Sequence, residues 1–496
     1  MKQKSMYEII SENEENGKLK DDFSLPSDDD KETLRFADGA MDGVSIYHIA
    51  PYQADEEDFK LIETAVNMAS AGNTKEAETT FAKLGKKARA VQLVDIFQQY
   101  IIDHSKTLNV NNLFECAMEL ILHSSEKESI KFALEILELI NTDRETVKKY
   151  IRTIGLSDEF TIFAIWIMQT WENGNKEIFK LAQKVNGWGK IHAVEALNPE
   201  TEEIKNWILM HGTQNYVVNA YSALTCWKKS QAEERLKGKI SFEEFEGILT
   251  IVDALLDEGP TTGISAIKNS DEIISDIINR SESFDLTIED YETILNIEYW
   301  AENEREKKPL TIKACNKALS DEKCQFAVKN AVKYGKGIRL AEKLGIDYKE
   351  NLLNCLNNDF ENNFCQCNYL IEDEKYIEKT LEIFRNKLPF DEMLGEPENK
   401  DVGYAENFKN STAFQVIVQN LRNKPLIGKD LIIKGLKCKN IRCRRSALTT
   451  IQHWVKLKNV PVSQLSTEIY NEIIALSKKE SDEVTKKIAE DLLENK

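Results

Sequence analysis

The chain has 496 residues, of which 30% are charged, and its formal net charge is −19. This length suffices for several domains or for one long repeat array. The acidic excess argues against binding to nucleic acids and to anionic membrane surfaces, because both need a basic footprint. No apolar run approaches the roughly 20 residues of a membrane-spanning helix, so no membrane segment is predicted.

The first residues, MKQKSMYEIISENEEN, lack the continuous apolar stretch of a signal peptide. The nine cysteines are scattered along the chain, and no disulfide framework is evident. In a long chain without a secretory signal, such cysteines are expected to be reduced. We therefore predict a cytoplasmic protein.

Residues 1–55 are predicted to form a flexible acidic arm and tether with one short helix at most, because their composition is polar and acidic. The stretch DGAMDGVSIYH (residues 38–48) interrupts this pattern with two Asp-Gly pairs, which are turn signals. It is interpreted either as a ligand loop or as a tether that docks Val44, Ile46 and Ile49 on the body. The turn chemistry favours the tether.

From about Glu56 onward, apolar residues recur at helical spacing and the connections are short, which predicts antiparallel helix pairs and almost no strand. The apolar run FTIFAIWIM is interpreted as a buried helix. We predict a helical-repeat body over residues 56–387, a linker over 388–407 with two prolines and two glycines, and C-terminal HEAT-like helices over 408–496. The stretch ENEREKK (residues 302–308) is a weaker break.

The stretch RLKGKISFEEFEGIL is similar to the exit of a calcium-binding EF-hand. Counting back from Gly238 places two cations, Arg235 and Lys237, at positions that need oxygen ligands. No calcium binding is therefore predicted. Ser241 and Glu244 instead have the spacing of a capping box at the start of a helix.

Several segments share a polar entry followed by apolar residues and alanines at spacings of three and four. They are ESIKFALEILELI, WGKIHAVEAL, EKCQFAVKNAVKYG and NIRCRRSALTTIQHW. This form resembles the second helix of HEAT and armadillo repeats, and the last segment is the closest match. The resemblance implies an α-solenoid, in which stacked helix pairs bury a continuous core.

A second resemblance covers the whole chain. DGAMDGVSIYH, GWGKIHAVEALNPETEEIKNWILMHG and the helical body are together similar to a group of bacterial proteins commonly labelled limonene hydroxylase. The label implies an oxidoreductase, a monooxygenase that oxidises an apolar monoterpene with O2 and NAD(P)H. The resemblance implies no catalytic roles for particular residues.

The residues themselves show no oxygen-activating constellation. No Gly-x-Gly-x-x-Gly run follows a strand, as a dinucleotide site would require. Cys365 and Cys367 form the only close cysteine pair, and no second pair or nearby histidine completes four metal ligands. The six histidines show no repeated Glu-x-x-His motif of a di-iron bundle. No metal site is predicted, no cofactor is evident, and NAD(P)H is expected only if the family label holds.

The best candidate for a binding patch lies on two helices that are adjacent in the sequence. His192 and Glu195 are three residues apart and can share one helical face. The patch would comprise Trp188, Lys190, His192, Glu195, Trp207 and His211. The alternative is that both tryptophans are core residues and that His192 is a satisfied surface residue.

The most basic run, LKCKNIRCRRSA, places Arg442, Arg444 and Arg445 near a predicted helix start. Such a patch could bind an acidic peptide or a phosphate. A salt-bridged surface is the more common role of one basic cluster in an acidic chain, and the chain's own acidic arm is one candidate partner.

The sequence thus predicts an all-α chain, an α-solenoid of HEAT-like antiparallel helix pairs with a flexible acidic N-terminal arm. From the residues alone we predict a cytoplasmic interaction scaffold that binds a protein or peptide on a concave face. The alternative is the limonene hydroxylase activity that the second resemblance implies, with a small apolar terpene held between helices.

Overall fold

The computed structural model describes residues 4–20, 23–26, 36–140, 142–398 and 409–494. These residues are mostly helical, which confirms the predicted all-α class. One antiparallel hairpin of two very short strands lies near the N-terminus. In chain order the elements are α1 (Met6–Glu12), β1 (Glu14–Glu15), β2 (Lys18–Leu19), α2 (Ala40–His48), α3 (Glu56–Ser70), α4 (Thr74–Lys87), α5 (Ala90–Asp103), α6 (Val110–His123), α7 (Lys127–Glu138), α8 (Glu145–Ile154), α9 (Thr161–Gln169), α10 (Gly174–Ala182), α11 (Trp188–Ala196), α12 (Glu202–His211), α13 (Ala220–Lys229), α14 (Ala232–Arg235), α15 (Phe242–Leu255), α16 (Ser270–Arg280), α17 (Ile288–Asn303), α18 (Pro309–Leu319), α19 (Glu322–Ala331), α20 (Ile338–Leu344), α21 (Lys349–Asn358), α22 (Phe360–Asn363), α23 (Asn368–Ile371), α24 (Glu374–Lys387), α25 (Phe390–Met393), α26 (Lys409–Asn420), α27 (Lys429–Leu436), α28 (Ile441–Lys458), α29 (Val462–Leu465), α30 (Thr467–Lys479) and α31 (Glu483–Glu494).

The chain divides into two compact units. The first comprises the described residues within Met1–Asp28, Arg35–Asp285 and Thr293–Ala318, and the second comprises those within Leu286–Glu292 and Leu319–Lys496. The main break predicted at residues 388–407 differs from this division, and its residues 399–407 lie outside the described part. Its beginning is packed, because the ring of Phe390 in α25 meets that of Phe414 in α26 at 5.1 Å.

The core of the first unit is built from the apolar faces of its helices. Phe81 of α4, Phe97 of α5 and Phe132 of α7 are fully buried, with ring centroids 5.1–5.9 Å apart. Such offset and edge-to-face contacts add to the stabilisation from burial alone. Helix α9 carries the run FTIFAIWIM and is buried on nearly all sides, as predicted.

The former EF-hand candidate is a helix start, as the sequence predicts. The Ser241 hydroxyl accepts a hydrogen bond from the Glu244 N–H, and the Glu244 carboxylate accepts one from the Ser241 N–H. The same carboxylate lies 2.6 Å from a guanidinium nitrogen of Arg235. The acid that would have bound calcium therefore caps α15 and pairs with a cation.

The predicted loose N-terminal arm is wrong for residues 4–20 and 36–55, where the structure places two helices. Helix α1 starts with a capping box between Ser5 and Glu8, and its residues Met6 and Ile10 are buried. It packs on α6 and α8, and the Met6 N–H donates to the Ser124 carbonyl. The helix was not predicted because the segment is acidic overall and only these two apolar residues, one helical turn apart, indicate a buried face. Most of SLPSDDDKE lies outside the described residues.

Helix α2 contains most of DGAMDGVSIYH, and it is neither a loop nor a tether docked by its apolar side chains. Ile46 and Ile49 are 42% and 46% exposed, and Val44 is half-buried. The buried residues of α2 are Asp42 and Gly43. A Cβ atom on Gly43 would lie 2.1 Å from Cε3 of Trp188, so the backbone of α2 rests directly on the indole of α11. Glycine is required there for close approach.

In the second unit, α28 is packed on α26, α27 and α31. Its Trp454 is fully buried, and the indole N–H donates to the Leu421 carbonyl at 2.9 Å. Asn440 caps the helix by accepting from the Arg442 N–H. The cap fixes where the basic run LKCKNIRCRRSA enters the helix.

We expect Gly43→Ala to lower the free energy of unfolding by roughly 1–3 kcal/mol, because the added methyl group overlaps the Trp188 ring. The measurement is urea denaturation of the full chain. Gly238→Ala is the matched control, because a Cβ there meets only the Arg235 carbonyl at 3.8 Å. Equal stability of both variants would contradict the close packing of α2 on α11.

Candidate functional site

The six residues of the predicted patch do not form one solvent-facing surface. Trp188, Lys190 and His192 are buried, with 4–8% of their surface exposed. Trp207 is half-buried, whereas Glu195 and His211 are exposed. The ring and cation contacts of these side chains divide them into two groups.

The first group is an aromatic cluster contributed by α2, α11 and α13. The rings of Trp188 and His192 lie 6.1 Å apart, with Tyr47 5.8 Å from Trp188 and nearly parallel to His192. Tyr221 closes the cluster at 4.9 Å from Trp188 and 5.0 Å from Tyr47. Sequence reasoning missed both tyrosines, because they are distant in the chain from α11. Burial, and next the negative charge of Glu195, raise the pKa of Tyr47.

The second group is centred on Trp207. The Lys190 ammonium lies 5.6 Å from the centre of the Trp207 ring, a cation–π contact. His211 follows at 6.2 Å, and Phe179 of α10 meets the ring edge-on at 5.6 Å. Burial lowers the pKa of Lys190. This arrangement fits a packed seam between helices better than a binding patch.

Two of the three arginines in the predicted basic patch, Arg444 and Arg445, form ion pairs with carboxylates of the same chain. Arg444 is fully buried and forms a two-pronged contact with Glu480, at 2.7 and 3.1 Å. Arg445 lies 2.8 Å from Asp482 and also donates to the Thr485 hydroxyl. These partners lie at the α30–α31 connection and not in the N-terminal arm. Arg442 is half-buried. The structure therefore favours the salt-bridged alternative over a site for acidic ligands.

A buried ion cluster, missed from the sequence, holds α2 against the body. The Lys131 ammonium is fully buried and lies 2.6 Å from Asp42, 2.5 Å from Glu159 and 2.9 Å from Glu128. Arg89 lies 2.7 Å from Glu128 and 3.4 Å from Asp42. We call these five residues the Lys131 cluster. It joins α2, the start of α5, α7 and the turn before α9 through charged contacts.

The carboxyl groups around Lys131 differ in how they respond to burial. Burial raises the pKa of Asp42 to about 6, against the opposing charge of Lys131. For Glu128 and Glu159 burial is outweighed by the nearby cations, chiefly Lys131, and their pKa values are lowered. One turn along α7, the Glu135 carboxyl is buried without a hydrogen-bond partner among the described residues, and burial raises its pKa well above the usual value.

The Asp158 pocket, of about 250 Å³, lies beside the aromatic cluster and has Trp188 in its wall. The Asp158 carboxylate accepts hydrogen bonds from the N–H groups of Gly187, Trp188 and Gly189, so it caps α11. Burial raises its pKa to about 7. A Cβ on Gly187 would lie 2.0 Å from the carboxylate, which explains why glycine stands there. The acid at this pocket is thus engaged in holding a helix start.

The Ile46 groove has a volume of about 450 Å³. It lies between the end of α2, the following loop, the start of α3 and the outer face of α5. Phe59, at 52% exposure, joins Ile46 and Ile49 as a large apolar side chain left in water. The lining residues are Ser45, Ile46, Ile49, Ala50, Pro51, Tyr52, Gln53, Ala54, Phe59, Val91, Gln92, Asp95 and Ile96.

Two further properties concern ligands and membranes. Within the described ranges, no group of three histidine, cysteine, aspartate or glutamate side chains is placed to hold a metal ion. Cys365 is exposed, whereas Cys367 is buried, so the close pair does not face one site. None of the helices in the described part of the chain is long and apolar enough to cross a bilayer.

Replacing Lys131 by Met should destabilise the protein by about 3–5 kcal/mol, because three carboxylates would face one another without their shared cation. Thermal and urea unfolding of the purified variant provide the measurement. Lys228→Met is the control, since Lys228 is exposed on α13 and surface substitutions usually have small effects. A Lys131→Met variant as stable as the control would show that the cluster contributes little.

His192 should make stability depend on pH. Burial lowers the pKa of His192 in the folded state to about 4 from the usual 6.5, so below pH 6.5 the unfolded state binds more protons and stability falls. From about pH 7.5 to about pH 5 this loss amounts to about 2 kcal/mol. His192→Phe keeps a ring in the cluster and should remove that part of the pH dependence, whereas His123→Gln at an exposed position should not. An unchanged pH profile in His192→Phe would contradict the buried neutral imidazole.

Comparisons with protein-family models, with curated proteins and with solved structures found no match for this chain. The function is therefore argued from three features of the structure: the aromatic cluster, the Lys131 cluster and the Ile46 groove.

Proposed function

We propose that this chain is a cytoplasmic interaction scaffold of stacked, HEAT-like helix pairs, and that the Ile46 groove binds an apolar segment of a partner protein. The observation that carries the proposal is the grouping of Ile46, Ile49 and Phe59, three large and substantially exposed apolar side chains, around one groove. Exposed apolar groups that gather at one place commonly mark interaction sites.

The packing order of the helices supports the solenoid part of the proposal. In the first unit α3 packs on α4 and also on α6, α4 packs on α7, and α6 packs on α7. Each helix thus contacts its pair mate and a helix of the following pair, as stacked repeats do. Further along, α10 packs on α9 and α11, and α12 packs on α13 and α15.

The energetics of the groove favour an apolar occupant. Fully burying a large apolar side chain contributes about 1.5–3 kcal/mol, so covering three half-exposed ones contributes on the order of 1 kcal/mol each. The wall formed by α2 is fixed in advance, because Asp42, one turn before Ile46 on that helix, is paired with Lys131. A preformed wall lowers the ordering cost that binding must overcome.

The limonene hydroxylase activity stays a prediction from resemblance. It rests on sequence stretches that the structure explains by packing: Asp42 and Gly43 of the first stretch, and Gly187 and Trp188 of the second, are engaged in contacts between helices. No observation in the described residues favours that activity, with NAD(P)H or a terpene as ligand, over the interaction scaffold.

Phe59→Glu should abolish capture of the partner while leaving the fold intact, because Phe59 is half-exposed at the groove. The measurement compares, by quantitative mass spectrometry, the proteins that co-purify with the wild-type chain and with each variant. Ile102→Glu is the matched control: Ile102 is also 52% exposed and lies on α5 outside the groove lining. A photo-crosslinking residue at Gln53 should mark the same proteins. If both variants retain or both lose the same proteins, the groove is not the binding site.

A further inference from the structure

The Ile46 groove has one charged side chain in its lining, Asp95 on α5. Asp95 is exposed, and within the described residues no ion pair or hydrogen bond of its carboxylate is formed. It stands one helical turn from Val91 and next to Ile96, so one face of α5 presents apolar side chains and a carboxylate together. The opposite face of α5 is fully used by the core, where Leu93 and Phe97 are buried.

Three acids at the start of α3 share one cation. The Lys87 ammonium lies 2.6 Å from Asp55, 3.0 Å from Asp58 and 3.4 Å from Glu57. This lysine is therefore already engaged with carboxylates other than that of Asp95. The exposed Asp95 carboxylate is accessible to a cation of a binding partner.

We propose that the occupant of the Ile46 groove is a protein segment in which a large apolar side chain is adjacent to an arginine or lysine. This inference rests on the proposed function and specifies its partner. The apolar side chain packs between Phe59, Ile46 and Ile49, and the cation pairs with Asp95. Arginine is the better match, because its planar guanidinium binds a carboxylate through two parallel hydrogen bonds.

Size and long-range charge agree with this occupant. About 450 Å³ lies within the roughly 300–1,000 Å³ of typical ligand pockets, which accommodates one or two large side chains. The net charge of −19 attracts basic segments at a distance and speeds their encounter. An acidic segment is disfavoured, because its carboxylate would face the like charge of Asp95.

The test uses the full chain and labelled peptides of about a dozen residues, in which two leucines flank a central arginine or, in the matched peptide, a glutamate. Fluorescence anisotropy measures both affinities. We expect the arginine peptide to bind wild type about 5–10-fold more tightly, as one exposed charge-assisted contact allows. Asp95→Asn should remove this preference, and Asp95→Lys should reverse it. Ile102→Glu should bind like wild type.

The outcomes separate this inference from the proposed function. If Phe59→Glu abolishes binding but wild type and Asp95→Lys do not discriminate between the peptides, the cation pairing is overturned and the apolar groove stands. If neither peptide binds, or if Phe59→Glu and Ile102→Glu bind equally well, both proposals fail. If wild type self-associates in gel filtration and Phe59→Glu does not, the occupant is a second copy of this chain and the inference is overturned.

Discussion

The ion cluster around Lys131 fixes the position of α2, and the Ile46 groove in the first unit depends on that position. One fully buried ammonium is shared by carboxylates from α2, from α7 and from the turn before α9. A buried charge left without its partner is strongly destabilising, so the loss of any one of these groups would weaken the contact between the elements that carry them. Helix α2, which forms one wall of the Ile46 groove, is anchored to the body by this cluster through Asp42.

The aromatic cluster gives α2 its second anchor. Trp188 fills the space that Gly43 leaves open, and Tyr47 and Tyr221 close around it. Asp158 in turn holds the first turn of α11 and so positions the indole. The charged contacts and the ring contacts engage the buried face of the same helix. In the last turn of the helix Ile46 stays exposed and lines the Ile46 groove.

Helical periodicity carried most of what could be predicted about the fold. The all-α class, the buried α9 and the capped start of α15 follow from local patterns, because a cap or an apolar face is determined by residues within one or two helical turns.

The candidate site could be predicted only in part. The stacking of Trp188 on His192 follows from their spacing on α11. The burial of Trp188 was one of the two alternatives that the sequence left open, whereas its neighbours Tyr47 and Tyr221 could not be predicted because they come from distant segments. The ion cluster was missed because composition does not tell which acids have partners. Lys131 in the apolar face of ESIKFALEILELI was the available signal.

Gly43 and Trp188 have an evolutionary consequence as a pair. The glycine tolerates no side chain only because the indole occupies its space, so a relative with a smaller residue at the second position is free to carry alanine or serine at the first. The two positions should covary across homologous chains, although they are far apart in the sequence. A search for divergent relatives can therefore look for a larger residue at position 43 together with a smaller one at position 188, a pairing that overall sequence identity does not measure.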